Sequence, residues 1–436
     1  MSASSVAVLL WAAYITKGKI MYEFLPQEKE DLREAQQEAW NRYRQNYNKR
    51  TKKPTGKAGP FSRWISRFYV LALIIFVASI LFINVLPNNI LAAVMGILSA
   101  LSIFLITLLR KRNVRKGARG FAAFLAMIMI FVFGTGSVYA LETFSFLSTN
   151  SVPNENRVSS IIKDPFNVCI TGIDTYGTID EQGRSDVNMI VTVNPQTSQI
   201  LLTSIPRDYE IYLSEYDFAI DKLTHTGFYN VATTVAAEED LLNTKINYFV
   251  KINFSTVKTF IDAIGGVDVY SEYEFTPVKK DDWTVQEGMN HMNGKQALAF
   301  ARERKAFIDG DRQRIKNQQA VFEAIIKKAT SKRTMALNYT KLLTSLNQNF
   351  EMDFSPEEMS ALAKYQLAKN PEWKIFKNTI TGGDGSMPLY STGGAYAYVM
   401  TQDEESIEHA QELISAVLEG KELEKDKDDD IIIKKE

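Results

Sequence analysis

The sequence predicts an α/β protein in which three transmembrane helices precede an extracellular three-layer α/β/α domain. Three long apolar runs in the first third of the chain predict the membrane helices. Basic residues before and between these runs predict on which side of the membrane the rest of the chain lies. Strand-like and helix-like stretches alternate through the remainder, which predicts the α/β/α domain.

Charge is divided unevenly along the chain. The 436 residues carry a formal net charge of −1. Residues 1–141, however, hold 19 basic and 6 acidic residues, whereas residues 142–436 hold 31 basic and 45 acidic residues. Such a split indicates that the two parts occupy different environments.

None of the three apolar runs contains a charged residue, and each is about long enough to cross the hydrocarbon core as a helix. They are Phe68–Leu86, Ile90–Leu109 and Phe121–Leu141. The alternative, that they are buried helices of a soluble core, is disfavoured because three uncharged runs of this length lie so close together.

The basic residues flank the first two spans. Arg42 to Arg67 holds nine lysines and arginines and no acidic residue, and Arg110 to Arg119 holds six more. The positive-inside rule therefore places these segments in the cytoplasm, and three spans place everything after Leu141 outside the cell. Nucleic-acid binding is the weaker explanation for these basic runs, because they adjoin the ends of the spans.

The two ends of the chain are interpreted from composition. Ser4–Ile15 is apolar but short for a span, and it lacks the preceding basic residue of a signal peptide. We interpret residues 1–20 as a poorly ordered extension, with Met21 as an alternative start. The predicted organisation is a cytoplasmic segment (1–67), a three-span region (68–141), a linker (142–165), the α/β/α domain (166–420) and a disordered charged tail (421–436).

Cysteine and histidine usage excludes some classes of site. Cys169 is the only cysteine, so an intramolecular disulfide is impossible and a cysteine-based zinc site is disfavoured. The three histidines are too scattered along the chain to predict a histidine-rich metal site.

Four short runs rich in apolar and β-branched residues predict strands that are covered on both faces. They read FNVCITGI, VNMIVTVNP, QILLTSIP and YFVKINF. Ser255–Ile264 has apolar residues at helical spacing, with Ser255 as the expected N-cap and two glycines after its end. Strands that alternate with such helices favour a three-layer α/β/α arrangement.

The segment after residue 292 concentrates cations around the start of a helix. A short helix is predicted over Asn293–Arg302 with Asn293 as its cap, then a polar turn over 309–313, then a helix over Arg314–Thr330. The last helix carries a stripe that faces inward at i, i+4, i+7 and i+11, formed by Arg314, Gln318, Val321 and Ile325.

A helix N-terminus carries partial positive charge, so cations are unfavourable there. Arg312, Arg314 and Lys316 nevertheless crowd this one. One explanation is that Asp309 and Asp311 cap the helix and pair with the arginines at the surface. The other is that the helix end and the arginines converge on a polyanion, most simply a phosphate or diphosphate.

Further charged residues fall at the ends of predicted strands. Arg207 and Asp208 follow the third strand, at the edge where open α/β sheets bind ligands. Asp174 follows the first strand and Asp186 precedes the second. Two carboxylates beside phosphate-binding arginines predict a hard divalent cation such as Mg²⁺. The alternatives are that the aspartates are ordinary turn residues or that Arg184 pairs with them instead.

Several spaced stretches resemble the motifs of the LytR-CpsA-Psr (LCP) family, in the order typical of that family. They read GID, GRSDVNMIV, IPRD, DKLTH, IGGVDV, ALAFARER and GDRQRIKNQQ. The resemblance covers Phe166 to Thr330, with a weaker match to Glu419, and the three spans resemble the streptococcal LytR and CpsA type. It implies an α/β/α domain outside the membrane of a Gram-positive bacterium. The extra domain of some capsule-type members has no room between Leu141 and Phe166.

The resemblance also implies an activity. LCP proteins transfer a glycopolymer from a polyprenyl-pyrophosphate carrier to the 6-hydroxyl of N-acetylmuramic acid in peptidoglycan, and form a phosphodiester. By this resemblance Asp174 and Asp186 would hold Mg²⁺ or Mn²⁺. The diphosphate would be bound by Arg207, Lys222, Arg302, Arg304, Arg314 and Gln318. Catalysis would rest on Arg207, Asp186, Arg302 and Arg304.

Other functions stay open at this point. A pyrophosphatase would use the same clamp with water as the acceptor. A non-catalytic membrane regulator or polysaccharide-binding protein is the other alternative, although residues 1–67 show no helix-turn-helix for DNA.

Three details of the implied reaction also stay open. The general base is one of Asp186, Asp208 and Asp311. Capsule, teichoic acid and rhamnose-rich polysaccharide are all possible polymers. The helix faces Val257–Ile264 and Val321–Ile325 either line a slot for the polyprenyl chain or belong to an ordinary core.

Overall fold

The computed structural model describes residues 26–436 except for 52–57, 112–113, 151, 177–178, 180–181, 279–282, 332–333, 335–349, 428–429 and 435–436. The predicted N-terminal extension and Met21 lie outside the described residues. The described helices are α1 (Pro26–Thr51), α2 (Pro60–Ile83), α3 (Asn88–Arg110), α4 (Lys116–Asn150), α5 (Val231–Leu242), α6 (Phe254–Ala263), α7 (Gly294–Arg302), α8 (Gly310–Ala329), α9 (Pro356–Lys369) and α10 (Glu404–Leu418). The described strands are β1 (Phe166–Ile173), β2 (Ser185–Asn194), β3 (Gln199–Ser204), β4 (Glu210–Leu213), β5 (Ala219–Lys222), β6 (Tyr248–Asn253), β7 (Val267–Ser271), β8 (Gly288–Met292), β9 (Phe350–Met352), β10 (Lys374–Thr379), β11 (Gly382–Pro388), β12 (Tyr396–Gln402), β13 (Leu423–Lys425) and β14 (Ile431–Ile433).

Helices α3 and α4 contain the second and third apolar runs, and α2 contains the first as far as Ile83, where the helix ends three residues before Leu86. By length and composition they are candidate membrane spans over Pro60–Ile83, Asn88–Arg110 and Lys116–Glu142. The prediction of three transmembrane helices ahead of the α/β domain is confirmed at this level. A buried hydrogen bond of 2.8 Å joins the hydroxyls of Tyr69 and Ser102, so neither polar group is left unpaired in an apolar setting.

The α/β domain is built on a mixed six-stranded sheet with the order β10-β3-β2-β1-β6-β9. Strand β2 is antiparallel to both β1 and β3, whereas β6 is parallel to β1 and β10 is parallel to β3. The end of β1, the start of β2 and the end of β3 therefore meet at one edge of the sheet. The aspartates and Arg207 predicted at strand ends share this edge.

Helices cover both faces of the sheet, as its near-continuous apolar strands require. On one face, α5 and α10 pack against strand residues that include Cys169 and Leu201. On the other face, α8 and α9 pack against the adjacent residues Val168 and Leu202. The predicted three-layer α/β/α arrangement is confirmed, and the four predicted strands correspond to β1, β2, β3 and β6.

A separate apolar cluster fixes the helices that carry the arginines. It joins α6, α7 and α8 to the β7–β8 hairpin through buried side chains such as Ile261, Val269, Phe300 and Val321. Asn293 caps α7 as predicted, because its side chain accepts a hydrogen bond from the backbone N–H of Gln296.

The start of α6 differs from the prediction. The N-cap is Asn253 and not Ser255, and the helix begins at Phe254. Asn253 accepts from the backbone N–H of Thr256, and the Thr256 side chain accepts from the Asn253 backbone, which completes a capping box. Both residue types favour a cap, and the reciprocal bond decides between them.

The start of α8 is also earlier than predicted. The helix begins at Gly310, so residues 309–313 are not a polar turn, and residues 310–313 lie in the first turn of the helix. A Cβ atom at position 310 would lie 2.6 Å from the carbonyl oxygen of Arg304. Glycine therefore allows the backbone before α8 to pass close to the segment that carries Arg304.

The prediction of a disordered tail over 421–436 is wrong for the tail residues that the structure describes. Strands β13 and β14 pair antiparallel, and Leu423 and Ile431 are buried against α10. The prediction relied on the high overall charge of the tail and gave no weight to its few apolar residues. Those residues form the face of the β13–β14 hairpin that packs on the domain.

Glu238 on α5 is a buried carboxyl group beside Cys169. The residue is fully buried, and neither carboxylate oxygen receives a hydrogen bond from a described nitrogen or oxygen donor. Burial raises the pKa of Glu238 from 4.5 to about 8, and the neighbouring Cys169 thiol offsets only part of this. Folding therefore keeps the group protonated at a pH where the unfolded chain has released the proton.

The first prediction concerns Glu238→Gln. Well below pH 4.5 the group is protonated in both the folded and the unfolded state, so its ionisation adds no cost there. Between about pH 5 and pH 8 the wild type should lose stability as pH rises, by up to about 4 kcal/mol in the free energy of unfolding. The glutamine variant should lack this dependence and should melt at a higher temperature near pH 7.5.

Thermal melts of the detergent-solubilised protein across this pH range measure the effect. Asp240→Asn is the control, because Asp240 is an exposed neighbour on α5 and should change little. Parallel pH profiles for Glu238→Gln and the wild type would contradict the prediction.

Candidate active site

Asp186 lies in a β-bulge of β2, at the edge of the sheet where the ends of β1 and β3 and the start of β2 meet. The register pairs Gly172 with Val187 and Ile173 with Ser185, so Asp186 has no partner residue on β1. A bulge bends its strand and redirects a side chain, and bulges are common beside active sites. Asp186 thus leaves the regular alternation of β2 and reaches the wall of a cavity.

Arg207, which follows β3, lies at the centre of a charged network. Its Nη1 donates to Asp186 Oδ1 at 3.0 Å, and its Nε donates to Asp208 Oδ2 at 3.2 Å. Lys222 Nζ donates to the other oxygen of Asp208 at 3.1 Å. Burial by itself lowers the pKa of Arg207, but the two carboxylates more than offset this, so its pKa is raised and the guanidinium stays charged.

Arg302, at the end of α7, is held by aromatic residues. Its Nη1 donates to the hydroxyl of Tyr176 at 2.8 Å, and its guanidinium carbon lies 3.9 Å from the centre of the Phe254 ring. The second contact is a cation–π interaction, which orients the group without neutralising it. No carboxylate among the described residues pairs with Arg302, so its charge is available to a ligand.

Arg304 and Arg314 share one carboxylate. Asp311 lies 2.9 Å from Arg314 Nη2 and 4.0 Å from Arg304 Nη1. Arg314 is buried, and among the described residues nothing accepts a hydrogen bond from its Nε. Burial lowers the pKa of Arg314, and Arg207 and Arg304 lower it further while Asp311 raises it. A buried cation with an unused donor is a strong anion-binding group.

Surface pairing explains only part of this arrangement. Asp311 does pair with Arg314, as that alternative expected, but the Asp309 side chain forms no cap hydrogen bond. In the network formed by these contacts, cationic side chains outnumber carboxylates. The cations are Arg207, Lys222, Arg302, Arg304 and Arg314, and the carboxylates are Asp186, Asp208 and Asp311.

The four arginines and Asp186 of this network border a cavity of about 500 Å³. Part of its wall is polar, and Gln318 lies in the wall together with arginines. The charged and amide side chains in the wall are Asp186, Arg207, Lys295, Arg302, Glu303, Arg304, Lys305, Arg314 and Gln318. The rest of the wall is mainly apolar and is formed by Ile252, Phe254, Val257, Leu298, Val321, Phe322 and Ile325. The inward stripe predicted on α8 is confirmed. Val257, Val321 and Ile325 line the cavity and also pack in the apolar cluster of α6, α7 and α8, so both interpretations of these helix faces stay open.

Lys222 and Asp174 lie outside the wall of this cavity. Lys222 joins the network through Asp208. Asp174 Oδ1 accepts a hydrogen bond from the backbone N–H of Arg184 at 2.9 Å, so it closes the β1–β2 loop as a turn residue does. Arg184 therefore contacts Asp174 through its backbone and not as the salt bridge considered above.

The candidate metal ligands at this edge are two carboxylates. Asp174 and Asp186 are carboxylates at adjoining ends of β1 and β2, and oxygen donors of this kind suit Mg²⁺ or Mn²⁺. The described residues contain no group of three or more acidic, histidine or cysteine side chains placed for a metal. Two carboxylates are nevertheless enough for an ion that takes its other ligands from water and phosphate.

Sequence reasoning missed several residues of the site. Tyr176 and Phe254, which hold Arg302, have no motif that marks them. Glu303 is buried, and its carboxylate accepts hydrogen bonds from the backbone N–H groups of 304, 305 and 306 and from that of Val278. It shapes the loop that carries Arg304, and its position between two arginines was the only available signal.

Comparisons with known proteins find relatives of one family. The LytR_cpsA_psr family model matches residues 138–413. TagU of Bacillus anthracis, named as a polyisoprenyl-teichoic acid–peptidoglycan teichoic acid transferase, is 31% identical over 252 residues, which cover 55% of this chain and 80% of TagU. TagU of Enterococcus faecalis is 31% identical over 258 residues, covering 57% and 83%. The crystal structure of B. subtilis TagV aligns with a TM-score of 0.50 at 27% identity, over 59% of this chain and 98% of TagV.

Proposed function

Because this chain belongs to the LytR_cpsA_psr family, we propose that it transfers a glycopolymer from a polyprenyl-pyrophosphate carrier to the muramic acid 6-hydroxyl of peptidoglycan. The observation that carries the proposal is the cavity, whose wall combines several arginines with a larger set of apolar side chains. The proposed substrate combines the same two kinds of group, because its diphosphate would contact the arginines and its lipid would contact the apolar side chains. The name of TagU makes teichoic acid the first polymer to test.

The reaction exchanges one phosphorus–oxygen bond for another. The acceptor hydroxyl oxygen attacks the phosphorus that bears the glycan, the bond from this phosphorus to the bridging oxygen breaks, and polyprenyl phosphate leaves. The hydroxyl proton passes to a carboxylate. Of the three candidate bases only Asp186 lines the cavity, but all three are paired with cations and Asp186 is also a proposed metal ligand, so the base stays one of Asp186, Asp208 and Asp311.

Phosphoryl transfer depends mainly on positioning and charge stabilisation. Cationic side chains outnumber carboxylates in the cavity wall, which suits a diphosphate diester that carries about two negative charges. Arg302 has no carboxylate partner among the described residues, and Arg314 has an unused Nε donor, so both are ready to bind phosphate oxygens. Arg207 is positioned by Asp186 and Asp208 to stabilise charge as it develops.

Asp174 and Asp186 are the residues that would hold Mg²⁺ or Mn²⁺ in this proposal. The ion would supply further positive charge to the diphosphate oxygens. The remaining positioning is done by the arginines and by Gln318 in the cavity wall.

The proposed topology follows the basic residues. Residues before α2 and between α3 and α4 carry the cytoplasmic charge, so the α/β domain faces the outside, where peptidoglycan lies. The membrane spans keep the enzyme beside a carrier that is confined to the bilayer. No nucleic acid is needed in this proposal.

One experiment tests the function directly. The full chain in proteoliposomes is incubated with lipid-linked glycopolymer and peptidoglycan oligomers, and the products are analysed by mass spectrometry. A phosphodiester between glycan and muramic acid, with release of polyprenyl phosphate, is expected. Release of free glycan phosphate without the phosphodiester would indicate a pyrophosphatase, and binding without any product would indicate a non-catalytic protein.

The second prediction concerns the metal. Two carboxylates alone provide few ligands, so Mg²⁺ affinity should be weak in the free protein and should rise when polyprenyl diphosphate is bound. Calorimetry of Mg²⁺ binding with and without this ligand measures the difference. Asp174→Asn should weaken metal binding, although Asp174 lies outside the arginine network.

Glu412→Gln serves as the control for Asp174→Asn, because Glu412 lies on α10, away from this edge of the sheet. Equal Mg²⁺ affinity with and without polyprenyl diphosphate would show that the aspartates do not share a metal with the substrate. The arginines would then act alone.

A further inference from the structure

The β11–β12 hairpin exposes tyrosines beside the candidate active site. Residues 382–402 contain three tyrosines, five glycines, two serines and two threonines, but no lysine or arginine. Tyr390, Tyr396 and Tyr398 are 47%, 76% and 46% exposed. Tyrosine among small polar residues is typical of recognition surfaces, because the ring offers a large, rigid contact area with a polar tip.

Two of these tyrosines form one surface. Tyr396 and Tyr398 are two residues apart on β12, so their side chains leave the same face of the strand, about 7 Å apart. Val399 is completely buried on the opposite face and fixes how the strand is turned. The Tyr398 hydroxyl donates to the Asp384 carboxylate at 2.8 Å across the hairpin, which holds the ring in place.

The hairpin is attached directly to the arginine network. The ammonium group of Lys222 lies 5.5 Å from the centre of the Tyr398 ring, and the same group binds Asp208. The backbone N–H of Met400 donates to the carbonyl oxygen of Asp208 at 2.8 Å. Tyr398 is therefore one side chain away from the residues that hold Arg207.

We propose that Tyr396 and Tyr398 form a platform that stacks against sugar rings of the glycan substrate. This inference rests on the proposed function. The C–H face of a pyranose ring is apolar and packs on an aromatic ring, while Asp384 and the tyrosine hydroxyls can bind sugar hydroxyls. The diphosphate lies between its lipid and its glycan, so with the lipid in the cavity the glycan lies on the other side of the arginines.

Other occupants of this surface fit less well. An anionic bilayer or a bare phosphate polymer would favour lysines and arginines, which the hairpin lacks. An apolar protein partner would favour aliphatic side chains over tyrosines tipped with hydroxyls. The sugar rings come either from the donor glycan or from the glycan strands of peptidoglycan, and kinetics separates these two sources.

The third prediction tests this platform on the full chain in proteoliposomes. The double variant Tyr396→Ala, Tyr398→Ala should raise KM about 10-fold for the substrate whose sugars it binds, while kcat stays near wild type. A rise for the lipid-linked glycan assigns the donor, and a rise for peptidoglycan oligomers assigns the acceptor. Tyr398→Phe keeps the ring and should retain most of the affinity.

Binding measurements separate this idea from the function itself. Polyprenyl diphosphate without a glycan should bind the double variant as tightly as it binds the wild type. Tyr270→Ala is the matched control, because Tyr270 is 57% exposed on the β7–β8 hairpin.

Unchanged KM values of the double variant for both substrates would overturn the platform. Weaker binding of polyprenyl diphosphate by the double variant would also overturn it, because Tyr398 would then act only by supporting Lys222. If the wild type makes no product, the platform is judged by binding of the lipid-linked glycan and of free peptidoglycan oligomers. It stands if the double variant weakens binding of either ligand and falls if it weakens neither.

Discussion

Replacing Arg207 with alanine is expected to reduce kcat for transfer by about 10²–10³-fold. Arg207 lines the cavity and is held between Asp186 and Asp208. Its loss removes a preorganised cation and leaves Asp186 without its partner, so the charge that develops on the phosphate loses stabilisation. Initial rates with lipid-linked glycan and peptidoglycan oligomers measure the effect.

The matched variants separate charge, geometry and folding. Arg207→Lys keeps the charge but loses the planar fork that binds two oxygens, so it should recover only part of the rate. Arg312→Ala should keep nearly full activity, because Arg312 is exposed on α8 and lies outside the cavity wall. Full turnover by purified, folded Arg207→Ala would remove Arg207 from the mechanism, and failure to fold would make it a structural residue.

The ends of the central strands could be predicted from sequence because their burial leaves a clear signal. Strands covered on both faces are almost continuously apolar, so the first polar residue marks where each strand leaves the core. This is why Asp174 and Arg207 were placed correctly at the ends of β1 and β3. The apolar stripe on α8 could also be predicted, since its spacing follows the helical repeat.

Other features depend on contacts that local sequence does not contain. The N-cap of α6 is Asn253 and not Ser255 because a reciprocal bond with Thr256 favours it. The early start of α8 depends on how closely the Arg304 backbone approaches Gly310. Neither partner can be identified from propensities, which describe one residue at a time.

The site itself was predicted unevenly for the same reason. Arginines stand out in sequence, whereas the groups that orient them look ordinary. Tyr176 and Phe254 hold Arg302 through long-range contacts, and Tyr398 meets Lys222 from a hairpin far along the chain. The burial of Glu238 likewise depends on how α5 packs on the sheet, and it cannot be predicted from the residues beside it in the sequence.

Large side chains placed deep in the cavity are expected to restrict the length of lipid that the enzyme accepts. Arg314, Val321 and Ile325 lie on one face of α8 and all line the cavity. With a rise of about 1.5 Å per residue, Val321 lies about 10 Å from Arg314 along the helix and Ile325 about 16 Å. A residue's distance from Arg314 along α8 therefore indicates how far it lies from the proposed diphosphate site.

Ile325→Trp should cut kcat/KM for long polyprenyl carriers by about 100-fold or more, because expelling three or four CH₂ groups already costs that much. Carriers with a short lipid should be processed nearly as well as by the wild type, since the arginines are untouched. Val321→Phe should block the slot nearer the diphosphate and should exclude shorter lipids as well. A series of lipid-linked glycans that differ only in lipid length measures both cut-offs.

Lys327→Trp is the control for adding bulk to α8, because Lys327 is 62% exposed and lies outside the cavity wall. Thermal melts show whether each variant keeps its fold, which matters most for the tightly packed Val321. The order of the two cut-offs is the decisive result, since only a lipid that runs along α8 from Arg314 gives Val321 the shorter limit. Equal losses for all lipid lengths, or the reverse order, would mean that the apolar cavity is core and that the lipid lies elsewhere.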